Sequence, residues 1–411
     1  MRKTKLIATL AATVIVLAVA GAGAGAVPAS SPGARAGGET RGVTDDVIRV
    51  GGLGYSAFYA DSAIGVQARF ARAETEDEIP GGRTIEFVGF RDDGSDQGQN
   101  LEEGRALVLE DEVFAAVPVM TPFLGAADFF AEEKVPFFGW GIAAGFCENP
   151  YGFGWSGCLT PPEPEITSNF WGKAMAEYLG GAEGKTAAVI AEDNDSGSAG
   201  VDVISAAAED AGFEVVYAEN PVPPEPAEVG DYTPFANAIL DEEPDVVFLV
   251  TSFSRVTELS NKLLELGYEG ELTNAVGYDP RLVAQFTGST VFIQFSPYES
   301  AEDGNEVMAQ LIEDVEAIDP EVQLTQPVAT GYFAADMFIE ALKKTGKNLT
   351  VKRFVKAANK GFRWGLPDTA GPTRFPKGHT RPTPCGSLVK SDGTGYTIEV
   401  PFSCGKVIDI E

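Results

Sequence analysis

The feature that most constrains this chain is an alternation of short β-rich runs with helical periods that passes through once and then starts again. Runs at 47–53, 84–90, 113–119 and 136–140 carry the apolar and β-branched residues of buried strands. Between them, 62–76, 99–109 and 126–133 line up apolar residues on one helical face. Such alternation predicts an α/β fold with a parallel, doubly wound sheet, because each parallel crossover must cover a face of the sheet. The pattern then restarts, with helices expected over 167–179, 199–211, 235–240 and 255–266. Strands are expected at 186–191, 213–218, 246–250, 272–276 and 291–295. Two similar halves therefore follow one another, joined through the Pro/Gly-bearing stretch 141–165. The tail differs: helices over 326–344 and 351–359 precede Gly/Pro-rich loops around short strands near 387–390 and 396–401. A tail this long can return across both halves and leave a cleft between them, where ligands usually sit.

The start of the chain reads as a removable secretion signal over residues 1–26. Arg2, Lys3 and Lys5 precede an apolar run, Leu6 to Ala20, and Ala24-Gly25-Ala26 supplies small residues for cleavage. A membrane anchor is the rival, but the run falls short of the roughly 20 residues a spanning helix needs. Residues 27–43 read as a flexible Pro/Gly/Ala/Ser-rich leader. No cysteine precedes Cys147, so a lipid-anchoring site is missing and a soluble exported protein without membrane insertion is expected. Losing residues 1–26 removes three basic residues and no acid, moving the net charge from −31 to −34. That balance repels phosphate backbones and anionic headgroups and argues against nucleic acid as a partner.

Four cysteines in an oxidising compartment favour disulfides. Of the three possible pairings, Cys147–Cys158 and Cys385–Cys404 are expected, since each closes a short Gly-bearing segment. A four-cysteine zinc site would want CxxC spacing, which is absent. No metal or cofactor is expected. Gly52-Leu53-Gly54-Tyr55-Ser56-Ala57 has the form of a dinucleotide fingerprint, but the acid ending the next strand, Asp92, lies about twice too far along. A loop lining the cleft is the better account. Asp193-Asn194-Asp195-Ser196-Gly197 starts like a calcium loop, yet Ile204 stands where the closing glutamate belongs. A polar turn, with Asp or Ser capping the next helix, explains it. His379 is the only histidine, and no G-x-S-x-G or H-E-x-x-H occurs, so an enzyme is not expected.

Aromatic residues cluster where open α/β sheets bind ligands, just past the carboxyl ends of strands. Tyr55, Phe58 and Tyr59 follow the first expected strand, Phe123 the third and Trp140 the fourth; Phe253 and Tyr278 follow strands of the second half. Thr121, Ser252 and Ser254 stand in the same turns beside helix starts, where hydroxyls and free N–H groups suit a carboxylate.

The order and spacing of several segments resemble the type I periplasmic binding proteins of ABC importers, the group around the leucine/isoleucine/valine-binding protein. The likeness covers about residues 44–411. It rests on the first strand, on the helix over 99–109, and on Ala126-Ala127-Asp128-Phe129-Phe130-Ala131-Glu132. The apolar strand Val246–Val250 and the turn Asp392-Gly393-Thr394-Gly395-Tyr396 add to it. The resemblance implies two Rossmann-like lobes, 44–165 plus 296–384 and 166–295 plus 385–411, joined by three hinge crossings. It also implies a monomer that closes on a small-molecule ligand and hands it to a membrane ABC permease. Carried onto this sequence, it points to Thr121 and the Gly141 backbone for an anionic group and to Tyr55, Trp140 and Phe253 as walls. Asp279 would take an amine, with Phe123, Asn194, Ser196, Ser252 and Tyr278 also lining the site. The family's amino-acid binders carry a Ser/Thr-rich turn where this chain has Met120-Thr121-Pro122-Phe123. An aliphatic or aromatic carboxylic acid or an amide therefore fits as well as a branched-chain or other amino acid. A sensory ligand-binding module is the main alternative, and a carboxylate-dependent hydrolase a more remote one.

Overall fold

Strict alternation of side chains across each strand is what lets both sheets bury two faces. The computed structural model describes residues 40–410. The expected signal at 1–26, and residues 27–39 of the expected leader, lie outside the described residues. Residues 40–43 are held against the first sheet: Arg41 Nε donates to the Val113 carbonyl at 3.0 Å, and Val43 bridges Ile48.

The first half runs β1 (Val47–Gly54), α1 (Ser56–Tyr59), α2 (Ser62–Thr75), β2 (Thr84–Asp92), α3 (Gln97–Leu109), β3 (Ala115–Met120), α4 (Ala127–Glu132), β4 (Phe137–Gly139) and β5 (Gly152–Gly154). Its sheet has the order β2-β1-β3-β4-β5, with every neighbouring pair parallel. The second half runs β6 (Ile166–Ser168), α5 (Phe170–Tyr178), β7 (Thr186–Glu192), α6 (Asp195–Ala211), β8 (Glu214–Val222), α7 (Thr233–Leu240), β9 (Val246–Val250), α8 (Phe253–Glu265), β10 (Glu271–Asn274) and β11 (Thr290–Ile293). The tail adds α9 (Glu306–Ile318), α10 (Gln326–Thr345), α11 (Val351–Ala358), the hairpin β12 (Phe362–Leu366) and β13 (Ala370–Phe375), then β14 (Cys385–Ser391), β15 (Tyr396–Cys404) and β16 (Val407–Asp409).

The second sheet has the order β15-β14-β11-β10-β9-β7-β8. Five of its strands are parallel, but β14 and β15 join antiparallel, so this sheet is mixed. The chain crosses between the lobes three times: after β5 to the second sheet, after β11 to helices packed on the first sheet, and after β13 back to β14 of the second. Two lobes with three crossings between them are the result. The segment 141–165 is more than a connection, since Gly152-Phe153-Gly154 is the fifth strand of the first sheet. Three residues with two glycines carry no strand periodicity, and only pairing with β4 makes them one. Helix α9 and the hairpin β12–β13 were likewise not expected.

In β9, Val246 and Phe248 face a cluster containing Trp171 and Phe292, whereas Val247 and Leu249 face one containing Ile190 and Leu259. The first lobe is centred on α10, with 15 of its 20 residues buried. It lies so close to α2 that a Cβ on Gly65 would meet the Val328 carbonyl oxygen at 2.0 Å, and one on Gly331 the Ser62 carbonyl oxygen at 2.0 Å. Across the same contact, Arg69 of α2 binds Asp336 at 2.6 Å and Glu78 at 2.8 Å, both buried or nearly so. Burial alone would raise the Glu78 pKa, but Arg69 and Lys343 hold it down at about 2. Disulfides join Cys147 to Cys158 and Cys385 to Cys404, the second lying across the paired strands β14 and β15. No helix among the described residues is long and apolar enough to cross a membrane.

Candidate functional site

The carboxyl ends of both sheets point into one cleft. Tyr55 follows β1, Pro122 follows β3 and Trp140 follows β4 on one side; Glu192 ends β7, Thr251 follows β9 and Val276 follows β10 on the other. Two chambers share Tyr59, Pro122, Trp140, Ser252 and Val276 as common walls. The hinge-side chamber, of about 230 Å³, takes residues from all three crossings, among them Thr160, Gln294 and Thr383. The second, aromatic chamber is about 240 Å³ and contains Tyr55, Phe58, Phe253, Tyr278, Asp279 and Arg281.

Of the residues expected from the sequence, Trp140, Asn194, Ser196 and Ser252 line the hinge-side chamber. Tyr55, Phe253, Tyr278 and Asp279 line the aromatic one, where Trp140 and Ser252 recur. Thr121, Phe123 and Gly141 line neither. Thr121 is fully buried, and its hydroxyl closes its own turn by accepting the Phe123 N–H at 3.1 Å. Gly141 has φ +94° and packs so tightly on Gly157 that a Cβ would meet that residue's carbonyl oxygen at 2.1 Å. Its place is behind Trp140, in the wall.

The aromatic chamber is bridged across the cleft. Phe58 of the first lobe stands 5.3 Å, ring to ring, from Phe253 of the second, and Tyr55 packs edge-on against Phe58 at 5.1 Å. Asp279 is buried beneath Arg281, which binds it through Nε at 2.9 Å and also reaches Asp61 of the first lobe at 3.0 Å. Tyr278 gives its hydroxyl hydrogen to Glu299 at 2.5 Å, which keeps that ring fixed.

The hinge-side chamber is walled mostly by apolar groups. Trp171 stacks on Phe292 with ring centroids 5.1 Å apart, and Trp140 is fixed by donating its indole N–H to Gln294. Its one carboxyl group is Glu192, buried at the end of β7. One oxygen accepts the Ser252 N–H at 2.8 Å and the other accepts Asn194 Nδ2 at 3.2 Å. Burial, helped by nearby Glu225, raises the Glu192 pKa. Asn194 also caps α6, its side-chain oxygen accepting the Gly197 N–H at 2.7 Å. The cap is therefore Asn194, not an aspartate or serine of that turn. These two helix starts, at α6 and α8, thus spend the Gly197 and Ser252 N–H groups on the protein's own oxygens.

Other sequence motifs resolve structurally. Gly52 to Gly54 is strand rather than loop, and a Cβ on Gly54 would strike the Met120 carbonyl oxygen at 2.0 Å. Among the described residues no cluster of three or more His, Cys, Asp or Glu is arranged to hold a metal ion. His379 is buried away from the cleft, bonded through Nε2 to Asn359 at 2.6 Å.

Sequence reasoning placed Tyr59 among the cleft aromatics but missed Trp171, Glu192, Thr251, Phe292 and Gln294. Glu192 and Thr251 were within reach of the rule used for the aromatics, since each stands at the carboxyl end of a buried strand. Trp171 carried no such signal: it lies inside α5 on an ordinary apolar helical face.

The chain matches the family model described as periplasmic binding protein over residues 50–395, and it belongs to that family. The family is one of solute-binding proteins rather than enzymes, and it places the protein outside the cytoplasm. Solved structures share the fold. A possible leucine/isoleucine/valine-binding protein from Rhodopirellula baltica is 14% identical with a TM-score of 0.71, covering 86% of this chain and 96% of its own. A fatty acid ABC transporter substrate-binding protein from Thermomonospora curvata is 18% identical at TM-score 0.71, covering 90% and 95%. A solute-binding protein of an ABC transporter from Rhodopseudomonas palustris, in complex with 3,4-dihydroxybenzoic acid, is 20% identical at TM-score 0.66, covering 88% and 98%. No curated protein matches the chain in sequence.

Proposed function

We propose that this protein captures a small, largely apolar organic solute by closure of its two lobes and delivers it to an ABC-type permease. The supporting observation is the cleft itself, whose chambers draw walls from both lobes, so only the closed form surrounds a ligand. The lobes are 44–165 plus 296–384 and 166–295 plus 385–411, acting in a monomer exported by the signal at 1–26. Trp140, Asn194, Ser196, Ser252, Tyr55, Phe253, Tyr278 and Asp279 form the contact set, with Trp171 and Phe292 completing the apolar wall. Two of the three named relatives, described with fatty-acid and dihydroxybenzoate ligands, favour an apolar body over a free polar amino acid.

The test is a melting-temperature screen of the purified protein against aliphatic and aromatic acids, alcohols, amines, amides and amino acids. A ligand that binds only the folded state at a hundred times its Kd adds about 2.7 kcal/mol. Such a rise, with a smaller radius of gyration in solution scattering, is the expected result. A folded protein that responds to no class in the screen defeats this reading.

A further inference from the structure

Strands β7 and β9 are neighbours in register, Ala191 opposite Val250, so the next residue of each chain, Glu192 and Thr251, meets the hinge-side chamber side by side. Both are more than nine-tenths buried. Thr251 is the sharper observation. Its side chain lines the chamber, but its hydroxyl is turned away from it, out of reach of water and with no hydrogen-bond partner in the protein to hold it there. A buried hydroxyl left unpaired costs about 1–3 kcal/mol, so a rotation about χ1 that turns it into the chamber to meet a ligand group is favoured.

The surroundings define that partner. A carboxylate offers about four lone-pair positions, and Glu192 uses two, on Ser252 N and Asn194 Nδ2. Three other hydroxyls of this wall are engaged: Thr160 on the Ile142 carbonyl, Ser196 on the Pro122 carbonyl and Ser252 on Glu225. No Lys, Arg or His lines the chamber, and the Gly197 and Ser252 N–H groups that could have met an anion are taken. A ligand carboxylate placed here would face a buried carboxylate with no cation between them, which a low-dielectric site penalises heavily.

Resting on the solute-capture reading, we propose that the hinge-side chamber selects ligands with an apolar body and a hydrogen-bond-donating head, a primary amine or hydroxyl, seated between Glu192 and Thr251. The head donates to the free lone pairs of Glu192 and pairs with the Thr251 hydroxyl turned into the chamber about χ1, while Trp140, Trp171 and Phe292 enclose the body. Donor chemistry is shared by amines and alcohols, and charge separates them: an ammonium gains from the full charge of Glu192, a hydroxyl from hydrogen bonding alone.

Benzylamine, benzyl alcohol and benzoate carry one ring and three heads, and calorimetry on the purified protein ranks them. The expected result is that one or both donors bind at least tenfold more tightly than benzoate. In Glu192→Gln the ammonium preference over the alcohol collapses, and in Thr251→Val donor affinity falls about 3–10-fold. Each variant is first shown to melt as a folded protein. Benzoate binding as tightly as either donor overturns the proposal while supporting solute capture. If none of the three binds, the best ligand of the broad screen replaces them, and unchanged affinity in both variants overturns the proposal. Failure of every compound in that screen defeats the solute-capture reading itself, and this inference with it.

Discussion

Arg281 of the second lobe reaches the carboxylate of Asp61 on the first, Nη2 to Oδ2 at 3.0 Å, while the same guanidinium holds Asp279. Asp61 stands just before α2 and Arg281 follows β10, so this pair ties one lobe to the other beside the aromatic chamber. Arg281 is about half exposed, and an ion pair in such a setting contributes up to about 1 kcal/mol. Asp61→Asn therefore loosens the closed form modestly. Ligand affinity should fall about 2–5-fold, and the gap between wild type and variant should shrink in high salt, as exposed charges are screened. Calorimetry at two salt concentrations checks both.

Two of the four tryptophans, Trp140 and Trp171, line the hinge-side chamber, whereas Trp155 and Trp364 are packed in the first lobe's core. Ligand entry should therefore change intrinsic fluorescence through the first two alone. The double variant Trp140→Phe, Trp171→Phe should lose most of that change, and Trp364→Phe should keep it. Trp140→Ala should weaken binding at least tenfold, since it deletes a wall shared by both chambers. A persistent signal in the double variant would place the ligand elsewhere.

The α/β class and most strand positions were legible because β-branched runs and helical faces alternate along the chain. The cleft's aromatic walls were legible through a positional rule about strand ends. What escaped notice depended on three-dimensional pairing. β5 is a strand only because β4 lies beside it, and Trp171 reaches the cavity through the packing of α5. Thr121 and Gly141 illustrate the opposite error. Both stand in the right turns, but local hydrogen bonding withdraws one and close contact with Gly157 withdraws the other.

Gly65 and Gly331 make the contact of α2 with α10 possible, each facing a carbonyl oxygen of the other helix at 2.0 Å from where a Cβ would stand. The clash is with backbone, which a rotamer change cannot relieve. Gly331→Ala should destabilise the protein by about 1–3 kcal/mol or more, the range for overpacking a tight core. Gly180→Ala, by contrast, meets no atom within 4 Å, though its φ of +73° still disfavours a side chain. Urea unfolding should rank Gly331→Ala as the more damaging.

His379 is the only histidine in the chain, so its titration can be followed without overlap. It lies between the rings of Phe153 and Phe375, and burial there pushes its pKa down from 6.5 to about 4. Proton NMR should show the imidazole signals moving near pH 4 rather than near 6.5. The sign of the linked stability follows: between these values the unfolded chain takes up a proton that the folded one refuses. This contribution to stability is present above about pH 6.5 and is lost as pH falls towards 4. Glu78, held at about 2 by Arg69 and Lys343, gives a second loss at lower pH, setting in below the ordinary glutamate value of 4.5. Going from pH 7.5 to 4.5, the urea midpoint of wild type should therefore drop relative to that of His379→Gln. An imidazole titrating near 6.5 in the folded protein would contradict the burial described for it.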